Sequence, residues 1–142
     1  MTKLFLDTEF NGLGGELISL ALVAEDGREW YGVRDLPEDV NPWVREHVLP
    51  FLDGAQMDAD DFTDSLLAFL VDFNDAEIVA DWPADFEHLA AQMTDMGAAH
   101  SFNMPIECTM RLIITPELHP TIPHNALSDA RALRDWYMGQ LT

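Results

Sequence analysis

The chain has 142 residues, 48% of them apolar, with 26 acids against 7 lysines and arginines and a formal net charge of −19. That length fits one domain with a core of ordinary size, and the apolar share excludes a disordered acidic tail. The charge excludes any partner that needs a long basic track, because a nucleic-acid duplex is held mainly by Lys and Arg contacts to its phosphates.

Met1-Thr2-Lys3 leads into only three apolar residues before Asp7, which is not the pattern of a secretory leader. No stretch reaches the roughly 20 apolar residues needed to cross a bilayer. The lone Cys108 suits a reducing compartment. A cytoplasmic protein without a membrane segment is expected. Lys3 to Asp7 reads as a buried strand and Glu16 to Ala24 as a second, joined by the glycine-rich Asn11-Gly12-Leu13-Gly14-Gly15. Glu25-Asp26-Gly27-Arg28 predicts a hairpin with Asp-Gly at positive φ in a two-residue turn, after which Glu29 to Val33 returns as a third antiparallel strand.

Trp43, Val44, Val48, Leu49 and Leu52 predict a short helix interrupted or ended near Pro50. Asp60 to Phe73 has the clearest helical spacing, with Phe62, Leu66, Leu67, Phe69, Leu70 and Phe73 on one face. Glu77 to Ala80 is a short apolar strand. A helix from about Asp85 to Met96 is expected to stop at Gly97, another strand to lie within Met104 to Ile114, and a final helix to span Asn125 to Leu141. The whole is an α/β chain of one domain, residues 1–142. Its expected sheet is mixed and five-stranded, three antiparallel strands followed by parallel additions, with helices flanking it.

Three local patterns carry chemistry. Asp7 and Glu9 close the first strand one residue apart, so strand periodicity points both carboxylates the same way. Two such charges resist ionisation unless a cation holds them. Asp81-Trp82-Pro83-Ala84-Asp85 follows a strand and opens a helix, so either acid can face a site there, although the helix dipole alone also favours an acid at that position. His124 and Asp129 stand five residues apart at the start of the last helix, which Pro123 introduces and Asn125 can cap. Ala126 and Ala130 let that helix approach a sheet closely. Oxygen ligands from distant segments suit hard divalent cations such as Mg²⁺ or Mn²⁺, and a histidine among them can accept a proton near neutral pH.

Other constellations lead nowhere. Asp58-Ala59-Asp60-Asp61 begins like a calcium loop, but Thr63 stands where glycine is required and Phe69 where the final Glu belongs. Met93, Met96, Met104 and Met110 read as core or interface filler. His119 and His124 lack cysteine partners and zinc-site spacing.

In order, the three patterns resemble the motifs of the DEDDh branch of the DnaQ-like 3′–5′ exonucleases, which have an RNase H-like fold. Asp7-Thr8-Glu9 matches the first motif, D-x-E, and His124 through Asp129 the third, H-x-x-x-x-D. Ala80-Asp81-Trp82-Pro83-Ala84-Asp85 stands where the second usually reads H-N-x-x-F-D, with Asp85 in the metal-binding place and Asp81 in that of the usual Asn. Asp7-Thr8-Glu9-Phe10, Glu16-Leu17-Ile18-Ser19 and Glu25-Asp26-Gly27-Arg28-Glu29 look like the small bacterial and phage exoribonuclease subgroup that includes RNase AS.

The resemblance implies two-metal hydrolysis with two Mg²⁺ or Mn²⁺ ions. Asp7 would bridge them, Glu9, Asp85 and Asp129 would complete their shells, and His124 would take the proton of the attacking water. Nucleoside 5′-monophosphates would leave single-stranded RNA 3′ ends, with DNA as the alternative substrate. Phe10, Asn11 and Gly12 would meet the terminal nucleotide, Phe10 or Trp82 would stack on a base, and Arg111 is a candidate phosphate contact. A homodimer is expected, with Trp30, Tyr31, Trp43 and Trp136 as candidate interface aromatics. A rival of another class is a non-catalytic acidic module that mimics nucleic acid, which the charge favours and the ordered motifs oppose.

Overall fold

Strands β1 (Thr2–Phe10), β2 (Leu17–Ala24) and β3 (Glu29–Arg34) form an antiparallel meander at the start of the chain. The computed structural model describes residues 1–95 and 101–141. Helix α1 (Pro42–His47), a 3₁₀ turn at Leu49–Phe51, β4 (Gln56–Met57) and helix α2 (Ala59–Leu70) follow. Then come β5 (Ala76–Ala80), α3 (Pro83–Gln92), the short pair β6 (Thr94–Asp95) and β7 (Ser101–Phe102), β8 (Cys108–Leu112) and α4 (Ala126–Gly139). The main sheet has the order β4-β3-β2-β1-β5-β8, with β5 parallel to β1 and β8 parallel to β5. This is the expected mixed α/β architecture, an RNase H-like arrangement. All five predicted strands are present, and the two-residue β4, too short to show a period, adds a sixth at the edge.

Every residue of β2 is buried because helices cover both sheet faces. Leu4, Leu6, Leu20, Leu22 and Ile78 face α2 and α3, where Phe62, Leu66, Leu70 and Leu89 close over them. Phe5, Ala21, Val23 and Val79 face α4. Ala126 and Ala130 lie on Ala21 and Val23, so small side chains let the start of α4 approach the sheet closely. Asn125 caps α4 as expected, accepting from the Ser128 amide at 3.0 Å, while its Nδ2 donates to the Phe51 carbonyl at 2.8 Å.

Several local expectations are corrected. The β2–β3 connection is a three-residue loop: the Gly27 amide donates to Ala24 and the Ala24 amide to Arg28, with Gly27 at φ 96. A type I turn followed by a left-handed glycine satisfies the strand twist without Asp26 adopting positive φ. Helix α3 starts at Pro83 and ends at Gln92, because the chain turns at once into β6; Met96 and Gly97, expected to end it, lie outside the described residues. Trp30, a candidate surface aromatic, is half-buried against the core. It packs edge-on against Phe62 at 5.1 Å and donates to Ser65 at 2.9 Å. Tyr31 packs against the α4 side of the sheet. Asp58 caps α2 by accepting from the Asp61 amide, an ordinary structural use for that acidic run. Among the described residues no helix is long and apolar enough to cross a membrane.

Candidate active site

The parallel pairing of β1 with β5 ends at Phe5 opposite Val79, although β1 runs on to Phe10 against β2. A notch therefore opens at the carboxyl end of β5, the usual place for a ligand in an open α/β sheet. Asp7 and Glu9 project into it from the α4 face of β1. Asp129 reaches it from the first turn of α4, Asp81 from the residue after β5, and Asp85 from the first turn of α3. Two acid triads result. Carboxylate oxygens of Asp7, Glu9 and Asp129 lie within 4.8 Å of one another, and so do those of Asp7, Asp81 and Asp85. Asp7 belongs to both.

Thr8 points away from its neighbours to the opposite face, as strand alternation requires. There its hydroxyl donates to Asp85 Oδ1 at 2.6 Å, fixing an acid that approaches from beyond the sheet. Thr115 does the same for Asp81 Oδ2 at 2.9 Å. Oδ2 of Asp7 and Oδ2 of Asp85 are buried and receive no hydrogen bond from the protein. A buried anionic oxygen without a partner is costly. A hard divalent cation is the partner these oxygens fit, since the donor set is all carboxylate.

Burial pushes every member of the Asp7–Glu9–Asp129 triad upward, and repulsion from neighbouring acids adds to it. Asp7 is raised well above the usual carboxylate range, first by burial and then by Asp85, Glu9, Asp129 and Asp81. Glu9 is pushed up to about 8 by burial and then by Asp129. Asp129 is pushed to about 6 by burial, against hydrogen bonds from Glu9 and the His124 amide. Asp85 is pushed to about 7 by burial, against the Thr8 hydrogen bond.

A folded-state value above the unfolded one means a contribution that is complete below about pH 4 and is lost as the pH climbs. The metal-free protein is therefore expected to lose thermal stability between about pH 4 and pH 8, the interval spanned by these shifts. Mg²⁺ or Mn²⁺ should raise the Tm by several degrees at pH 8 and far less at pH 5, because protons compete for the same oxygens. Equal metal-induced shifts at both pH values, followed by differential scanning fluorimetry, would exclude binding at this cluster. Thr8→Val removes the Asp85 hydrogen bond without changing side-chain size, and losses of this kind weaken metal affinity by about 10–100-fold. A Mn²⁺ titration followed by thermal shift measures it, and an unchanged midpoint would deny Thr8 that role.

His124 lines the same cavity of about 500 Å³ with Asp7, Asp81, Thr115, His119 and Asp129. It holds a left-handed φ of 62 just ahead of the Asn125 cap. Its ring meets the edge of Trp43 at 5.0 Å, and Trp43 in turn stacks on His47 at 4.6 Å.

The remaining sequence candidates are placed as follows. Phe10 stacks on His88 at 4.6 Å. Asn11 braces the following loop: its Nδ2 donates to the Asp39 carbonyl at 2.8 Å, and its Oδ1 accepts from the Asn41 amide at 2.7 Å. Gly12, at φ 75, passes so close to Asn41 that a Cβ would lie 3.2 Å from its Nδ2. Trp82 is 56% exposed, which removes core packing as its role. Arg111 is set apart from the acids, donating to the Tyr137 hydroxyl at 3.1 Å and lying 3.7 Å from Glu77. Thr8, Thr115, Trp43 and His119 were not found by sequence reasoning as part of this neighbourhood. Only Thr8 left a readable signal, in its alternation between two acids.

No family model matches the chain. Two curated proteins named 3′–5′ exoribonuclease, from Mycobacterium tuberculosis strains CDC 1551 / Oshkosh and ATCC 25618 / H37Rv, are each 54% identical to it over 54 residues. The match takes in 35% of this chain and 32% of each relative, so it spans about a third of the curated relatives' length. Over that part of its length, the chain is similar to exoribonucleases.

Proposed function

We propose that this chain is a metal-dependent 3′–5′ exoribonuclease of the DEDDh type, acting as one domain on single-stranded 3′ ends and working as a homodimer. The observation that carries this reading is the pair of acid triads sharing Asp7, each with a buried carboxylate oxygen that the protein leaves unpartnered. The partial similarity to two 3′–5′ exoribonucleases supports RNA as the substrate.

Glu9 and Asp129 would hold one cation with Asp7, and Asp81 and Asp85 a second with the same residue. When bound, such cations supply charge neutralisation at a phosphodiester and a lowered proton affinity for a nearby water. His124, at the rim of the cavity, accepts the proton of the attacking water. Thr8 and Thr115 keep Asp85 and Asp81 oriented. The exposed Trp82 offers a stacking face to a base, a contact worth about 1–3 kcal/mol with little sequence preference. A single-stranded end suits a chain of charge −19, because it brings few phosphates near the acidic surface.

The test is stepwise shortening of 5′-labelled RNA and DNA oligomers with Mg²⁺ or Mn²⁺. A ladder of 3′-shortened RNA, abolished by a chelator, is expected. Shortening of DNA in preference to RNA would reassign the substrate. Absence of any cleavage, together with metal-independent binding to a basic partner, would favour the nucleic-acid mimic that the charge suggests.

A further inference from the structure

An imidazole that takes up a proton must hold one nitrogen toward the water it serves, and a hydrogen bond to the other nitrogen usually fixes it. His124 has no such bond. Among the described residues its side chain makes no hydrogen bond or ion pair, and its ring contacts are Trp43 at 5.0 Å and His47 at 6.3 Å. Trp43 and His47 lie nearly parallel, 4.6 Å and 16° apart, whereas His124 stands at 80° to Trp43. The three centroid separations make close to a right angle at Trp43, so His124 abuts the edge of a two-ring stack and does not lie on its face. The stack is itself fixed. His47 Nδ1 faces the Trp43 carbonyl one turn back along α1 and donates to it at 2.9 Å, which keeps the imidazole flat on the indole.

Core packing does not account for Trp43. It is 50% exposed, while the next residue, Val44, is the one α1 buries. Nor does it line the acid cavity that His124 lines. Its helix is tied to both sides of that cavity. Asn41 accepts from the Trp43 amide at 2.9 Å, and its own amide donates to Asn11, two residues past Glu9. The turn after α1 accepts from Asn125, beside His124, at the Phe51 carbonyl.

We propose that Trp43 is a positioning residue for His124: backed by His47, its indole edge sets the plane of the imidazole. This rests on the nuclease reading, in which His124 accepts the proton of the attacking water. Perpendicular ring contacts are favourable because the positive edge of one ring meets the negative face of the other. Without that contact the imidazole can turn among its staggered rotamers. A misplacement of about 1 Å costs on the order of 100-fold in chemistry of this kind.

Trp43→Ala, Trp43→Phe, His124→Ala and the double alanine variant test this on 5′-labelled RNA with Mn²⁺. Trp43→Ala should lower kcat about 10- to 100-fold and change KM by less than about threefold. Trp43→Phe keeps an aromatic edge and should recover most of that loss. In the His124→Ala background, Trp43→Ala should cost nothing more, because it acts through the missing ring. A further loss there, or a larger effect on KM than on kcat, would overturn the proposal in favour of a direct substrate contact. A second readout needs neither RNA nor metal. The NMR order parameter of the His124 ring Cε1–H bond should fall in Trp43→Ala and return in Trp43→Phe. An unchanged value would overturn the proposal even if activity fell. Should Trp43→Ala fail to fold, Trp43→Leu keeps the bulk without the edge and is read in the same way. A chain that hydrolyses no RNA would sink the nuclease reading, and the order parameter would still decide whether Trp43 holds the ring.

Discussion

Asp7→Asn is expected to abolish RNA hydrolysis while making the metal-free protein more stable. Asp7 is the one residue common to both acid triads, so a neutral amide there weakens both at once. An amide has one acceptor oxygen and carries no charge to offset a cation. The loss should reach at least about 100- to 1,000-fold, the scale seen when a preorganised electrostatic group is removed from a site. Stability should move the other way. Burial and four neighbouring acids oppose the ionised form of Asp7, and an isosteric neutral side chain relieves that cost. Its NH₂ group can also donate to the surrounding carboxylates. A metal-free Tm higher by about 3–5 °C at pH 8 corresponds to roughly 1 kcal/mol for a domain of this size. Activity assays and scanning fluorimetry on one preparation decide the matter. A fall in both quantities would mean that Asp7 is a structural residue and not a ligand.

His124→Ala is expected to separate proton transfer from metal binding. Loss of a positioned general base costs about 100- to 10,000-fold in kcat. The carboxylate oxygens remain, so the Mn²⁺-induced rise in Tm at pH 8 should persist. The variant also relieves little backbone strain, because alanine dislikes the left-handed region as histidine does. His124→Gly, which favours that φ of 62, should therefore be as inactive as His124→Ala but more stable. Full activity in either variant would remove the general-base role.

The sheet was legible wherever a run was long enough to show its period. β1, β2 and β3 alternate or stay apolar over six or more residues and are bounded by glycine or turn residues. β4, β6 and β7 are two residues each, below the length at which any period exists, and only tertiary pairing reveals them. The placement of Asp7 with Glu9 followed from strand geometry, and that of Asp129 from its position in the first turn of a capped helix.

The second acidic motif stayed open for a physical reason. Trp82-Pro83 reverses the chain between β5 and α3, so spacing along the sequence cannot say from which side each acid arrives. Asp81 leaves β5 on the α4 face, whereas Asp85 comes from α3 across the end of the sheet, where Thr8 holds it. Both lie in one triad with Asp7, so the fold brings the two acids to the same place. Arg111 attracted notice as an isolated cation. Register places it opposite Val79, itself opposite Phe5, two residues short of Asp7. The aromatic residues misled in the same way, since composition does not tell a packed Trp30 from a surface one.

The notch in the sheet receives Asp7 from the first strand and Asp129, with His124, from the last helix. No N-terminal piece of the polypeptide that ends before Asp129 holds the full proposed set of groups. During synthesis, the acid cluster can accordingly assemble only after α4 has emerged and docked, so any chemistry the cluster supports would arrive in a single late event.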